Sequence, residues 1–348
     1  MNPDLSITAC SPAEAVAVVP YLLGFHPADS FVVLGLIGRV VDFAVRYDLP
    51  PSPGRADYAE VAIMIARQAA DRVMLIGYGP PGPVSTTVLG VGRALTIAGV
   101  AIDDVLRVAD GRWWSYAGGP AGGTECAPEL AAEAVFQGMV ALPDRKALVA
   151  KVSPVEGAQR REMTEATGRA RARATDLAAG DLRAGRGGQW MRRAGREAVR
   201  EAERVARVGQ SLGADAVAWL GVVLVKPVVL DYAIDRSAPD DWRLDLWNDV
   251  VRRVDPAHAP GPACLLGYAA WQAGDGSLAR VAVDRALLEE PGHRLAGVLD
   301  RLLAAGIRPD SVVRFSTPRR TGPPGRARQR LGTGGGRRRR RGTRRRSL

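Results

Sequence analysis

Two glycine-bearing turns constrain this chain more than any other feature. Gly38-Arg39 separates the valine-rich run Ser30–Ile37 from Val40–Asp48, and Asp110-Gly111 separates Val105–Ala109 from Arg112–Tyr116. A two-residue loop carrying glycine is the backbone signal of an antiparallel hairpin, because its dihedrals match the twist of the flanking strands. A chain with two such hairpins has to build a sheet and cover it.

The intervening segments supply the cover. Ser11 is placed to cap a helix from Pro12 to about Leu23, with proline at its first position. Tyr58–Ala70 has helical spacing, with Val61, Ile65 and Ala69 on one face. Asp71–Tyr78 contains Val73-Met74-Leu75-Ile76, a buried strand. Val84–Ala98 and Pro128–Leu142 read as further helices. The alternation predicts an α/β domain over residues 1–152, a mixed sheet with flanking helices.

The pattern changes at residue 153. Residues 153–210 hold no strand-like run and are dominated by Ala, Arg and Glu, which predicts a charged connector of two long helices broken at Gly185–Gly188. Arg193 with Glu197, and Glu203 with Arg207, are spaced to pair along a helix surface. The charge run reads as a solvated face in preference to a partner-binding one. Residues 211–310 predict an all-α domain. Within it Leu266-Gly267, Ala270, Gly274-Asp275, Ala279, Val283, Ala286-Leu287 and Pro291 fall at the positions of a tetratricopeptide repeat. Small residues let two helices approach, Gly274-Asp275 turns the chain, and Pro291 ends the second helix. A single such TPR-like hairpin cannot bury its own faces, so Leu244–Val254 and Arg294–Leu303 are expected beside it. Modules of this kind raise the expectation of a protein partner.

Charge is unevenly spread. The 348 residues carry a formal net charge of +11, but residues 311–348 hold 14 arginines and no acid, leaving residues 1–310 at −3. That tail is too poor in apolar residues to fold and is predicted disordered. Nucleic acid is expected only through it, and it lacks aromatic residues interleaved for base stacking. An abrupt switch to Arg, Gly and Pro also fits a shifted reading frame. Only Lys146, Lys151 and Lys226 represent lysine, which reads as codon bias. With no run of 18 apolar residues and no charged-then-apolar leader, neither a membrane span nor a secretory signal is expected. Cys10, Cys126 and Cys264 are far apart, lack zinc-ligand spacing, and read as free thiols of a cytoplasmic protein.

A resemblance rests on specific residues. Pro20-Tyr21-Leu22-Leu23-Gly24-Phe25-His26-Pro27, Asp29-Ser30-Phe31-Val32-Val33 and Arg46-Tyr47-Asp48-Leu49-Pro50 resemble the actinobacterial DUF4192 family. Trp113-Trp114, Ala132-Glu133-Ala134, Asp231-Tyr232-Ala233, Trp247 and Ala269–Leu287 extend the likeness over about residues 5 to 305. Tyr47 stands where that family often has a small apolar residue, and the arginine-rich tail is not a family feature. The resemblance implies a cytoplasmic actinobacterial protein and no particular activity.

One segment approaches a chemical constellation. His26, Asp29 and Ser30 place an imidazole, a carboxylate and a hydroxyl in a loop entering a strand. A hairpin centred on Gly38-Arg39 sets residue 46 opposite about residue 31, so Arg46 and Asp48 should lie near Asp29 and Ser30. These five residues are candidates for binding a polar or anionic ligand, with Arg46 as the fork. The competing reading is structural, with Asp29 and Ser30 as caps and Arg46 paired to Asp29. No catalytic residue is assigned, since no nucleophile elbow is present, and no metal or cofactor is expected. Gly77-Tyr78-Gly79-Pro80-Pro81-Gly82 matches GxGxxG formally, but its prolines remove the N–H donors a pyrophosphate needs, so it reads as a Gly/Pro turn. Trp113, Trp114 and Tyr116 read as packing residues, and Gly118–Gly123 as a flexible loop. His258 and His293 read as surface or capping residues. The leading functional expectation is a non-enzymatic binding or regulatory protein. The alternative is an enzyme or small-molecule-binding domain with its pocket at His26, Asp29, Ser30, Arg46 and Asp48.

Overall fold

Six strands form one sheet in the computed structural model, which describes residues 7–9, 11–51, 58–185 and 189–312. Cys10, positions 186–188 of the predicted break, and the arginine-rich tail from residue 313 lie outside the described residues. The strands are β1 (Ser30–Ile37), β2 (Val40–Asp48), β3 (Arg72–Tyr78), β4 (Ile102–Ala109), β5 (Arg112–Ser115) and β6 (Thr124–Glu125). Their order is β2-β1-β3-β4-β5-β6. Only β3 and β4 run parallel among neighbours, which their connection through a helix permits.

Alternation along the strands divides two apolar faces. Val32, Leu34, Leu36, Met74, Ile76 and Leu106 face the side covered by α1 (Pro12–Leu23), and their core runs on into the helical half. Phe31, Val33, Val73 and Leu75 pack on the other side against α2 (Tyr58–Ala66) and α3 (Pro81–Ile97). Helix α1 starts as its sequence dictates: Ser11 Oγ accepts from the Glu14 amide at 3.2 Å, and Gly24 ends it at φ +74°. Tyr47 stacks on Phe31 at 5.0 Å on the α3 side, which accounts for a large ring there.

Three expectations are corrected. Arg46 pairs with Val32, not with residue 31, because Asp42 is an extra residue between the Gly35–Phe43 and Leu36–Val41 pairs. Such a bulge advances the register by one. The helix expected over Pro128–Leu142 is a 3-10 turn at Pro128–Ala131 followed by α4 (Ala132–Phe136). It stops at Gly138, whose φ of +79° suits a residue without Cβ. Phe136 remains 88 % exposed. Helix α2 ends at Ala66, four residues early.

The remaining described chain is mostly helical: α5 (Arg145–Ala150), α6 (Gly157–Arg183), α7 (Gln189–Arg207), α8 (Ala214–Leu224), α9 (Pro227–Asp235), α10 (Asp241–Arg253), α11 (Pro260–Gln272), α12 (Gly276–Glu289) and α13 (Arg294–Ala304). Helices α11 and α12 turn at Gly274, and a Cβ on Gly267 would stand 3.0 Å from Val283 Cγ2. Helix α11 is buried from Pro260 to Trp271, enclosed by α8, α9, α10, α12 and α13. The small residues there serve a central core helix. Asp42 meets Arg308 at 2.7 Å, and Gln68 donates to the Gly306 carbonyl at 3.0 Å, tying sheet to helices. Among the described residues no single helix is long and apolar enough to cross a membrane.

Candidate functional site

Three of the five sequence-predicted residues, Ser30, Arg46 and Asp48, lie at one end of the sheet, and strand register lines them up with residues far away in sequence. Ser30 is paired on one side with Asp48 and on the other with Tyr78. Tyr78 lies beside Val108, Val108 beside Trp113, and Trp113 beside Thr124. Directly opposed residues share a face, so Asp48, Ser30, Tyr78, Val108, Trp113 and Thr124 form one row across all six strands on the α1 side. Arg46 occupies the next row on the same face, opposite Val32.

The polar atoms of this row are unevenly satisfied. Arg46 Nη2 donates to Asp48 Oδ1 at 2.7 Å and to the Ala28 carbonyl at 3.4 Å, and its guanidinium lies 5.8 Å over the Phe25 ring. Arg46 therefore pairs with Asp48 rather than with Asp29. Ser30 is 0 % exposed and Tyr78 6 % exposed. Among the described residues, the Ser30 Oγ, the Tyr78 hydroxyl, the indole nitrogen of Trp113 and Arg46 Nε are buried without a hydrogen-bond partner. A buried polar group left unmade costs about 1–3 kcal/mol, and such groups call for a water or ligand. All four can donate, and two of them only donate.

His26 and Asp29 stand apart from this set. Both are exposed. The His26 amide donates to the Leu142 carbonyl at 2.9 Å, which fixes its backbone. Asp29 adopts φ +42° and accepts the Leu49 amide through its carbonyl at 3.1 Å. Its carboxylate lies toward Gly79, where an added Cβ would come within 3.3 Å of Oδ1.

Protonation at the row is set by burial. Burial pushes the Tyr78 phenol well above its ordinary range, with the neighbouring Cys126 adding to it, and burial pushes the Cys126 thiol up as well. Both are neutral donors at physiological pH. A cleft of about 230 Å³ opens at the Trp113–Thr124 end, walled also by Asp104, Ser115 and the Gly118–Pro120 loop. Asp104 Oδ1 is occupied by Ser115 Oγ and by the Val105 amide, each at 2.7 Å.

Sequence reasoning missed Tyr78, Trp113 and Cys126 as members of this site. Tyr78 carried no local signal, being the last residue of an apolar strand. Trp113 was visible only as a packing residue, and its ring does pack against the α1-side core; Trp114, facing the other way, holds the Arg107 guanidinium at 3.8 Å.

The GxGxxG segment is accounted for without a ligand. Gly77 lies inside β3, where a Cβ would collide with Val84 and come within 2.9 Å of Val88. Pro81 and Pro83 occupy the first turn of α3, where missing N–H groups cost nothing.

Residues 12–310 match the domain of unknown function DUF4192. No curated protein and no solved structure matches the chain.

Proposed function

The chain belongs to the DUF4192 family, and from that premise we propose that it is a binding protein without catalytic activity, taking a small polar ligand at the α1 face of its sheet. The observation that carries this reading is the row of buried donors at Ser30, Tyr78 and Trp113, which have no acceptor among the described residues. A ligand offering oxygen acceptors, such as an amide or another carbonyl compound, supplies what they lack. Neutral donors fit an uncharged acceptor, and the carboxylate of Asp104 in the cleft wall disfavours an anion there. Binding is favoured over catalysis by the chemistry of the groups present. A nucleophile is activated by a lowered pKa, whereas Tyr78 and Cys126 are both pushed up.

Native mass spectrometry on the gently purified full chain tests this. A retained small-molecule mass that disappears in Tyr78→Phe and stays in Tyr116→Phe is the expected result. Tyr116 is a fair control because its hydroxyl already has Ser85 Oγ at 2.6 Å. A bare chain whose Tyr78→Phe variant melts at the same or a higher temperature would sink the reading, since the hydroxyl would then be merely stranded.

A further inference from the structure

Helix α7 carries a second feature, independent of the sheet. Arg193, Arg196, Arg200, Arg204 and Arg207 are all exposed. At 3.6 residues per turn they fall within a stripe roughly 80° wide and about 21 Å long. The opposite face buries Gly195, Val199 and Ala202, and Gly195 is needed there because a Cβ would collide with Val229 of α9. The stripe is therefore fixed outward by the packing of the helix.

The stripe is also ordered. The Arg196 guanidinium lies 5.1 Å over Tyr232, and that of Arg207 lies 5.0 Å over Trp242. Each ring carries a second guanidinium, Arg236 at 5.5 Å from Tyr232 and Arg243 at 4.2 Å from Trp242. Glu203, 4 % exposed, anchors this assembly from α7. It accepts from Arg236 Nε at 2.8 Å and lies 3.9 Å from Arg243. Glu203 thus turns inward rather than pairing with Arg207, as sequence spacing had predicted. Of the stripe residues, Arg204 pairs with Glu201 at 2.6 Å. Arg193, Arg196, Arg200 and Arg207 have no carboxylate partner among the described residues.

Local charge follows the geometry. Residues 157–207 hold 13 arginines against 7 acids, whereas residues 1–310 as a whole are at −3. Positive charge is thus concentrated on one helical layer of an otherwise acidic body. We propose that the arginine stripe of α7 is a docking surface for the phosphate backbone of a nucleic acid. Guanidinium forks match phosphate oxygens in pairs. Stacking on Tyr232 and Trp242 orders two of the forks before binding. Straight, regular spacing suits a stiff polyanion better than a flexible acidic peptide. A membrane surface is disfavoured because the apolar face of α7 is already buried in the protein, leaving none to insert.

The test is fluorescence anisotropy of a 20-base-pair duplex with the full chain across 0.05–0.2 M salt. The comparison is between the native protein, the triple variant Arg193→Gln, Arg196→Gln, Arg200→Gln, and the matching triple Lys variant. The arginine-rich tail is the same in all three, so its contribution cancels. The Gln variant is expected to bind about tenfold or more weakly, with its salt slope reduced by about 0.9 for each phosphate it no longer neutralises, and the Lys variant to recover most of the slope. Circular dichroism confirms that each variant is folded. Unchanged affinity and slope in the Gln variant would overturn the proposal and leave any binding to the tail. Equal affinity for a 20-residue polyglutamate, or for vesicles rich in anionic lipid, would overturn it too.

Discussion

His293 shows how one residue ties local geometry to a measurable pH response. Its Nδ1 accepts the Ala296 amide at 3.3 Å, capping α13, and lies 3.4 Å from the Cys264 sulfur. Burial lowers its pKa from the ordinary 6.5, against the opposing influence of Glu290. His258 is lowered by burial and by Arg171, with Asp255 opposing. The unfolded chain therefore takes up these protons at higher pH than the folded chain does, and stability is lost as pH falls below about 6.5. Protonating Nδ1 also removes the cap acceptor. Asp275 and Asp231, raised by burial, act with the opposite sign but in a lower pH range. The melting temperature is expected to fall between about pH 7.5 and 5.5, and His293→Asn, which retains a capping acceptor, to flatten the descent. A melting temperature constant over that window contradicts the assignment. Cys264 beside it, raised by burial, is expected to react with an alkylating reagent only when the chain is unfolded.

At the scale of elements, Gly77 and Gly82 separate two meanings of a glycine-rich stretch. Gly77 lets α3 lie close on β3, and Gly82 faces open space. Gly77→Ala is expected to cost about 1–3 kcal/mol by forcing helix and sheet apart. Gly82→Ala should be neutral or stabilising by up to about 1 kcal/mol, since alanine favours a helix. Urea unfolding of the two variants checks this, and an equal loss in both would contradict it. The same contrast explains what could be read from the sequence. Hairpins and helix starts were legible because Gly38-Arg39, Asp110-Gly111 and Ser11-Pro12 act on their immediate neighbours. The Asp42 bulge was not, since the partner that holds it, Arg308, is 266 residues away. Strand β6 has only two residues and no apolar pattern; its pairing with Arg112 and Trp113 defines it. Of the candidate site, Ser30, Arg46 and Asp48 were legible because one hairpin joins them. Tyr78 and Trp113 were not, because only the register of four strands, β1, β3, β4 and β5, brings them into line with Ser30. The α7 stripe was not read from the sequence, which offered only a charge run with Arg193–Glu197 and Glu203–Arg207 spacings; which of its charges turn inward depended on α9 and α10.

Over the whole molecule, the change of composition near residue 153 does not interrupt the interior. A single apolar cluster runs from Ile7 and Val32 through Met163, Val199 and Leu220 to Leu265 and Leu299. The two structural layers therefore share their largest stabilising term, and apolar burial acts on both at once. Loosening one should loosen the other. Leu265, fully buried in α11, provides the lever: Leu265→Ala is expected to cost about 2–5 kcal/mol through the apolar packing it forfeits and the cavity left behind. If the interior is thermodynamically continuous, calorimetry shows one transition with calorimetric and van't Hoff enthalpies in agreement. Hydrogen exchange should then speed up in β3 amides as much as in α11 amides, because both open by the same global unfolding. If instead the Leu265→Ala variant melts in two steps, with β3 protection unchanged, the sheet is stabilised by its own two faces. The Asp42–Arg308 and Gln68–Gly306 links would then be surface ties between independent folding units. The contiguity of the core favours the single transition.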